Sequence, residues 1–274
     1  MKKLLTFMLV AALAVASMIT TVACSSNTYV AKAISGIEVE EYGFAVGNNA
    51  SKKAEIIAAM NEVVAEANID EVVSYYTAMS NDQTPTVSLD FADLSDNTAG
   101  TLNVYTCSGF EPYEFIGADG SSVIGVDVYL MELVCEKLNM KINVVDMDFD
   151  GICGKVASED NAVGAAGFTI TEERKQSVTF SNAYYSSVQY IISLDSQAFT
   201  SLDKLAGKKI GVQKGTTGAA LVDEAITSGV LKDTGATIVE YDTGAVAYTA
   251  LKANKIDFVV IDELPALKLV GGSK

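Results

Sequence analysis

Gly167-Phe168-Thr169-Ile170-Thr171-Glu172-Glu173-Arg174 is the stretch on which the reading of this chain turns. It follows a small apolar run, Val163-Gly164-Ala165-Ala166, that reads as the end of a buried strand. The strand end then delivers a glycine, two threonine hydroxyls and an arginine in quick succession. Glycine lets a ligand approach the backbone. Thr169 and Thr171 offer short hydroxyl donors. The guanidinium of Arg174 has the fork that holds a carboxylate in a bidentate pair. The same residues equally make an ordinary strand, turn and helix cap with a surface arginine, so the rest of the chain has to decide.

From residue 101 onward, strands and helices alternate. Strands are predicted at 102–105, 141–145 and 163–167, with helices at 127–138, capped by Asp127, and at 150–157. After an extended stretch at 188–193 the alternation resumes. It runs strand 209–212, helix from about residue 219, strand 238–241, helix 245–253, strand 258–261 and a short helix 264–269. Such alternation implies βαβ units and a largely parallel sheet. Ligands of these sheets lie beyond the carboxyl ends of the strands. Phe110, Thr169 and Arg174 all follow predicted strands, which allows them to meet in one cleft. The turn Lys214-Gly215-Thr216-Thr217 puts free amides at a helix start, either an anion site or a plain capped helix. Asp262 either caps the short helix behind it or faces the cleft.

Upstream, residues 37–46 read as extended. Ser51 is the candidate cap of a helix over 51–66, which carries Ile56, Ile57, Met60, Val63 and Val64 at helical spacing. A second helix is expected at 69–79, and the polar, acidic residues 81–100 read as a linker. Lys2 and Lys3, the apolar run 4–19 and the small residues before Cys24 read as an export signal. The run is short for a spanning helix, which needs roughly 20 residues. A plain secretory signal or an uncleaved anchor fits the same residues.

The chain has 274 residues and a formal charge of −16, a surface that repels nucleic acid and anionic lipid. It contains no histidine, which removes Ser–His and Cys–His catalysis and the commonest metal ligand. Of its four cysteines, Cys135 and Cys153 fall in apolar helical stretches, and the spacing with Cys24 and Cys107 suits neither a metal knuckle nor a CxxC pair. Neither a metal nor another cofactor is expected.

Several motifs occur in order between residues 101 and 270. They are Phe110-Glu-Pro-Tyr-Glu-Phe115, Gly125-Val-Asp127, Asp148-Phe-Asp-Gly151, Gly167 to Arg174, Phe180-Ser-Asn-Ala-Tyr-Tyr185, Leu205 to Thr217 and Val259-Val-Ile-Asp-Glu263. As a set they resemble the extracellular solute-binding proteins of polar amino-acid ABC transporters. The start of the chain likewise resembles a bacterial lipoprotein signal, cleaved before a lipidated Cys24, although Thr21 stands where leucine is usual. The resemblance implies an α/β, two-lobe, type II periplasmic-binding-protein-like fold without enzymatic activity. In that family the Val-Ile-Asp-Glu strand is followed by a crossing strand and two closing helices. Here Glu40-Glu-Tyr-Gly-Phe-Ala-Val-Gly47 and the helical stretch after it, at the other end of the chain, look like those parts. The fold is therefore expected to be circularly permuted. Residues 1–23 would be the signal and 24–29 a tether. Segments 30–40 and 192–274 would form lobe 2, 48–80 and 101–188 lobe 1, 41–47 and 188–193 the hinge strands, and 81–100 a linker between the family's usual termini.

By resemblance, Arg174 clamps the carboxylate of a free amino acid, with Thr217 assisting from the other lobe. Asp262 accepts the ammonium, Gly167 and Thr169 add hydrogen bonds, and Phe110 and Phe149 flank the ligand. Cys107 stands where binders of cationic side chains carry a carboxylate, which favours a neutral polar or sulfur-containing ligand. The expected partners are that amino acid, an ABC permease and, through lipid on Cys24, the outer face of the membrane. A dehydratase on the same fold, with Glu111 as its acid, and a sensory ectodomain are the alternatives.

Overall fold

The computed structural model describes residues 28–271. The signal segment and Cys24 lie outside them. In chain order the elements are β1 (Tyr29–Ala33), β2 (Glu40–Tyr42), β3 (Ala45–Gly47), α1 (Lys53–Glu66), α2 (Ile69–Ser80), β4 (Thr101–Thr106), β5 (Phe115–Ile116), β6 (Val123–Ile124), α3 (Val126–Lys137) and β7 (Lys141–Asp146). They continue with α4 (Phe149–Ala157), β8 (Ala162–Gly164), β9 (Val178–Phe180), β10 (Tyr185–Ser187), β11 (Gln189–Leu194), β12 (Lys209–Gln213), α5 (Thr217–Thr227), β13 (Thr237–Tyr241), α6 (Gly244–Lys252), β14 (Phe258–Asp262) and α7 (Glu263–Leu269).

Two five-stranded sheets carry the architecture. The first has the order β7-β4-β8-β3-β9, and the second β1-β11-β14-β12-β13. Both are mixed rather than largely parallel. The βαβ strands β7, β4 and β8 run parallel, as do β13, β12 and β14. By contrast β3 is antiparallel to β8 and β9, and β11 is antiparallel to β14 and β1. The reason is connectivity: the antiparallel strands belong to chain segments that return from one sheet to the other. Those segments meet midway as a ribbon, where β2 pairs antiparallel with β10 and Tyr42 lies opposite Tyr185.

The segment at 40–80 is built into this frame. Strand β3 fills the gap between β8 and β9, and α1 packs on α3. Its apolar positions explain why: Ile56, Met60 and Val63 fall on one face of α1 and are buried. On the opposite face of the first sheet, α4 buries Ile152 and Val156 with Phe168 and Val178. Helix α5 covers the second sheet through Val222, over Ile210, Val212 and Val260. At the ribbon Tyr42 and Phe44 are fully buried, and Phe44 stacks on Tyr184 with centroids 4.4 Å apart.

Four local expectations change. Helix α1 starts at Lys53, and Ser51 does not cap it; the Ser51 amide instead donates to Asp160 Oδ1 at 2.9 Å. Asp127 is not a cap either. Gly125 takes that place at φ 143°, where a Cβ would sit 2.1 Å from the Tyr113 carbonyl oxygen. Strand β8 stops at Gly164, three residues early, because the chain bends at Ala166 and Gly167 toward the ribbon, where Thr169 bridges Tyr42. Residues 29–33, on the edge of the expected tether, form strand β1.

Candidate functional site

The cavity between the sheets is lined by Phe110, Glu114, Phe149, Ala166, Gly167, Thr169, Arg174, Gln213, Thr216, Thr217 and Asp262. The structure thus brings all seven expected ligand-binding residues to one place. The free volume is about 10 Å³, the scale of a single water molecule. The two lobes are closed upon one another.

The first lobe supplies the aromatic walls and the cation. Gly167 has φ +56°, and a Cβ there would lie 2.6 Å from the Phe110 ring, so the position requires glycine. Its amide donates to Asp127 Oδ2 at 2.9 Å, and Tyr184 donates its hydroxyl to the other Asp127 oxygen at 2.6 Å. Burial pushes Asp127 up to about 7 against those two bonds. Phe149 opens α4 and stacks on Phe168 with centroids 4.7 Å apart. Above that pair, the Arg174 guanidinium carbon sits 5.3 Å from one ring centroid and 5.1 Å from the other. One Arg174 nitrogen donates to the Thr169 carbonyl at 2.7 Å and the other to the Gly215 carbonyl of the second lobe at 3.1 Å. The Thr171 hydroxyl accepts the Arg174 amide at 3.2 Å and does not line the cavity.

The second lobe supplies the anion. After β12 the turn leads into α5, with Thr216 as its cap: the Thr216 side chain accepts from the Ala219 amide at 3.1 Å. Thr217 follows on the first helical turn. Asp262 ends β14 and starts α7 without capping it. Its Oδ1 instead accepts the Tyr42 hydroxyl at 2.5 Å. Burial, and next the Glu40 carboxylate, push Asp262 up to about 7. At the rim Lys214 pairs with Asp150 at 2.5 Å, and inside, the buried Gln213 donates through Nε2 to the buried Cys107 Sγ at 3.6 Å. Burial pushes the Cys107 thiol up to about 11.

Sequence reasoning missed Tyr42, Glu40, Gln213 and Glu114. Glu114 is 1% exposed, and its Oε2 makes no hydrogen bond. Burial, with Asp127 next in effect, holds its carboxyl well above the usual carboxylate range. Glu111, the acid considered from sequence, is not among the lining residues. The motif Phe110 to Phe115 contains both, and only the fold tells which one turns inward.

A family model for bacterial extracellular solute-binding proteins, family 3, matches residues 102–241. The chain belongs to this family. A probable histidine-binding protein of Campylobacter jejuni is 33% identical over 172 residues, which is 61% of this chain and 62% of that relative. The match therefore spans less than two thirds of that curated relative's length. Among solved structures, an ancestral arginine-binding protein bound to arginine is 38% identical with a TM-score of 0.58, covering 63% of this chain and 74% of the other. The holo arginine-binding protein of T. maritima is 33% identical with a TM-score of 0.57, covering 63% and 73%. This solute-binding protein thus has the α/β fold of the type II periplasmic binding proteins. Residues 29–80 lie outside the family match, yet they supply β1, β2 and β3 and close the first lobe with α1.

Proposed function

We propose that this solute-binding protein captures a free amino acid between its lobes and hands it to an ABC permease. One observation carries the reading. Arg174 from the first lobe and Asp262 from the second line a single buried cavity with apolar walls from Phe110 and Phe149. A zwitterion needs a fixed cation, a fixed anion and a dry wall between them. The ligand carboxylate takes Arg174, its ammonium takes Asp262, and Gly167, Thr169 and Thr217 complete the polar contacts. Because the two charges come from different lobes, binding and hinge closure are one event.

The side chain of the ligand meets Glu114. A buried carboxyl oxygen without a partner favours a ligand that brings donors to it. We therefore prefer an amino acid with a donor-rich side chain, arginine first, over the sulfur-containing class that Cys107 favours. The arginine bound to the similar ancestral protein supports this choice. No step of bond making is assigned to the site.

The chain order is read as a circular permutation. Support comes from β3 and α1, which complete a lobe whose remaining strands begin only at Thr101. Residues 30–40 with 192–271 then make lobe 2, residues 48–80 with 101–188 lobe 1, and 41–47 with 188–193 the hinge. Lipidation of Cys24 would hold the protein on the outer face of the membrane.

The test is Arg174→Ala with calorimetric titration of L-arginine, L-histidine, L-glutamine and L-cystine. The variant should lose at least about a hundredfold in affinity, the worth of a buried charge-assisted pair. Near-native affinity would refute the assignment.

A further inference from the structure

Thr169 and Thr217 reach the cavity from opposite lobes, and both hydroxyl protons are already committed. Thr169 Oγ1 donates to Glu40 Oε2 at 2.7 Å, and Thr217 Oγ1 donates to the same oxygen at 2.8 Å. Gln189 Nε2 donates to both Glu40 oxygens at 3.3 Å and to Thr217 Oγ1 at 3.5 Å. Glu40 itself belongs to β2, in the ribbon between the lobes, and is half-buried.

A hydroxyl has one proton and two lone pairs, and an ionised carboxylate only accepts. Three donors pointed at Glu40 are consistent with an acceptor. Once both threonine protons go to it, the two oxygens present lone pairs to the cavity. They lie 3.4 Å apart, and Asp262 lines the same cavity. A ligand carboxylate finds no donor among these three groups. A primary ammonium, with three N–H donors, finds acceptors in all of them. Thr217 was expected to assist Arg174 with the carboxylate; its proton is directed elsewhere.

We infer that Glu40 is a positioning residue: by taking the hydroxyl protons of Thr169 and Thr217 it turns both into acceptors and dedicates their end of the cavity to the ligand's ammonium. The inference rests on the reading that the cavity holds a free amino acid. It adds a specificity: the site rejects carboxylates that lack the amine, and Glu40 sets that rejection without touching the ligand.

The experiment compares L-arginine with 5-guanidinopentanoate, which is arginine without its ammonium, by calorimetry on the wild type, Glu40→Gln and Glu40→Ala. A thermal melt of each variant checks folding. The wild type should prefer arginine by a hundredfold or more. Glu40→Ala should lose about tenfold of that preference, through weaker arginine binding, and Glu40→Gln, whose amide oxygen still accepts, a smaller part of it, while 5-guanidinopentanoate changes little. A single charge-assisted hydrogen bond is worth a factor of this size. Equal losses for both ligands would make Glu40 a plain scaffold residue and overturn the inference, as would an unchanged ratio. If the wild type binds another amino acid instead, that amino acid and its deaminated form serve as the pair, with the same outcomes. Wild-type protein that binds none of the twenty amino acids overturns the functional reading, and this inference with it. Failure of the ratio alone leaves the functional reading standing.

Discussion

The hydroxyl of Tyr42 donates to Asp262 Oδ1 at 2.5 Å, both groups are buried, and the two residues are 220 positions apart in the chain. The bond ties the ribbon to the second lobe at the charge that we assign to the ligand's ammonium. It also lowers the pKa of Asp262 against the larger effect of burial. Replacing Tyr42 by Phe removes that donor. Arginine binding at pH 7 should weaken about tenfold, and the pH at which binding is half lost should move up by about one unit. Titrations between pH 5 and 9 measure both; an unmoved profile would separate Tyr42 from the ammonium site.

The raised carboxyls set the pH dependence of the ligand-free protein. Asp262 and Asp127 are each raised to about 7 by burial, against about 3.9 in an unfolded chain. Between about pH 4 and 7 the folded state therefore binds more protons than the unfolded state, so stability falls as pH rises through that window. The denaturant midpoint of the ligand-free protein should be higher at pH 5 than at pH 8. Binding has the opposite sign, since an ammonium needs Asp262 ionised: affinity should drop below about pH 7, by at most tenfold per pH unit. A flat stability profile would contradict the buried-acid account.

Gly215 marks where the lobes touch. It has φ +74°, and a Cβ there would fall 2.7 Å from Asp150 Cβ and 3.0 Å from Asp150 Cα. Gly215→Ala should keep the lobes from closing fully. Arginine affinity should fall more than tenfold, and the radius of gyration by small-angle scattering should rise. Lys214→Ala, which removes only the exposed pair with Asp150, should cost about 0–1 kcal/mol of closure. Equal effects of the two would make the ion pair, not the backbone approach, the controlling contact.

Asp127 holds the cavity floor from behind. Asp127→Ala orphans the Gly167 amide and the Tyr184 hydroxyl, so it should destabilise the fold by about 2–4 kcal/mol. Denaturant unfolding at pH 7 reads this directly. A loss under about 0.5 kcal/mol would mean water replaces the carboxylate at no cost.

The permutation has its own test. Helix α7 packs on β1, and Lys268 reaches Ser80 and Asn81 at the end of α2. A rearranged gene encoding residues 101–271 followed directly by 29–80 omits the linker. It should give a protein that unfolds cooperatively and binds the same ligand. An insoluble or non-cooperative product would count against the permutation.

Five of the cavity's residues were legible in the sequence because each sits in a short segment with its own chemistry. Gly167, Thr169 and Arg174 share one turn, Thr217 starts a helix after a glycine, and Asp262 ends an apolar strand. What stayed hidden depends on contacts between distant segments. Glu40 is one of two adjacent glutamates in β2, and only its meeting with Thr169 and Thr217 from two lobes gives it a role. Glu114 and Glu111 stand in the same motif, and the fold alone buries one of them. Ser51 and Asp127 have the right residue types for caps, but tertiary donors elsewhere claim the Asp127 carboxylate, and Asp160 serves the Ser51 amide. The antiparallel strands escaped for the same reason, since return strands carry no local mark of direction.

The central claim is that the cavity between Arg174 and Asp262 holds a free amino acid. A thermal-shift screen of residues 25–274 against the twenty amino acids, cystine and ornithine tests it most directly. Ligand at about 100 times its dissociation constant adds about 2.7 kcal/mol, which moves the transition by a few degrees. The account predicts a shift confined to arginine and a few relatives. A cooperative transition that no amino acid moves would contradict it.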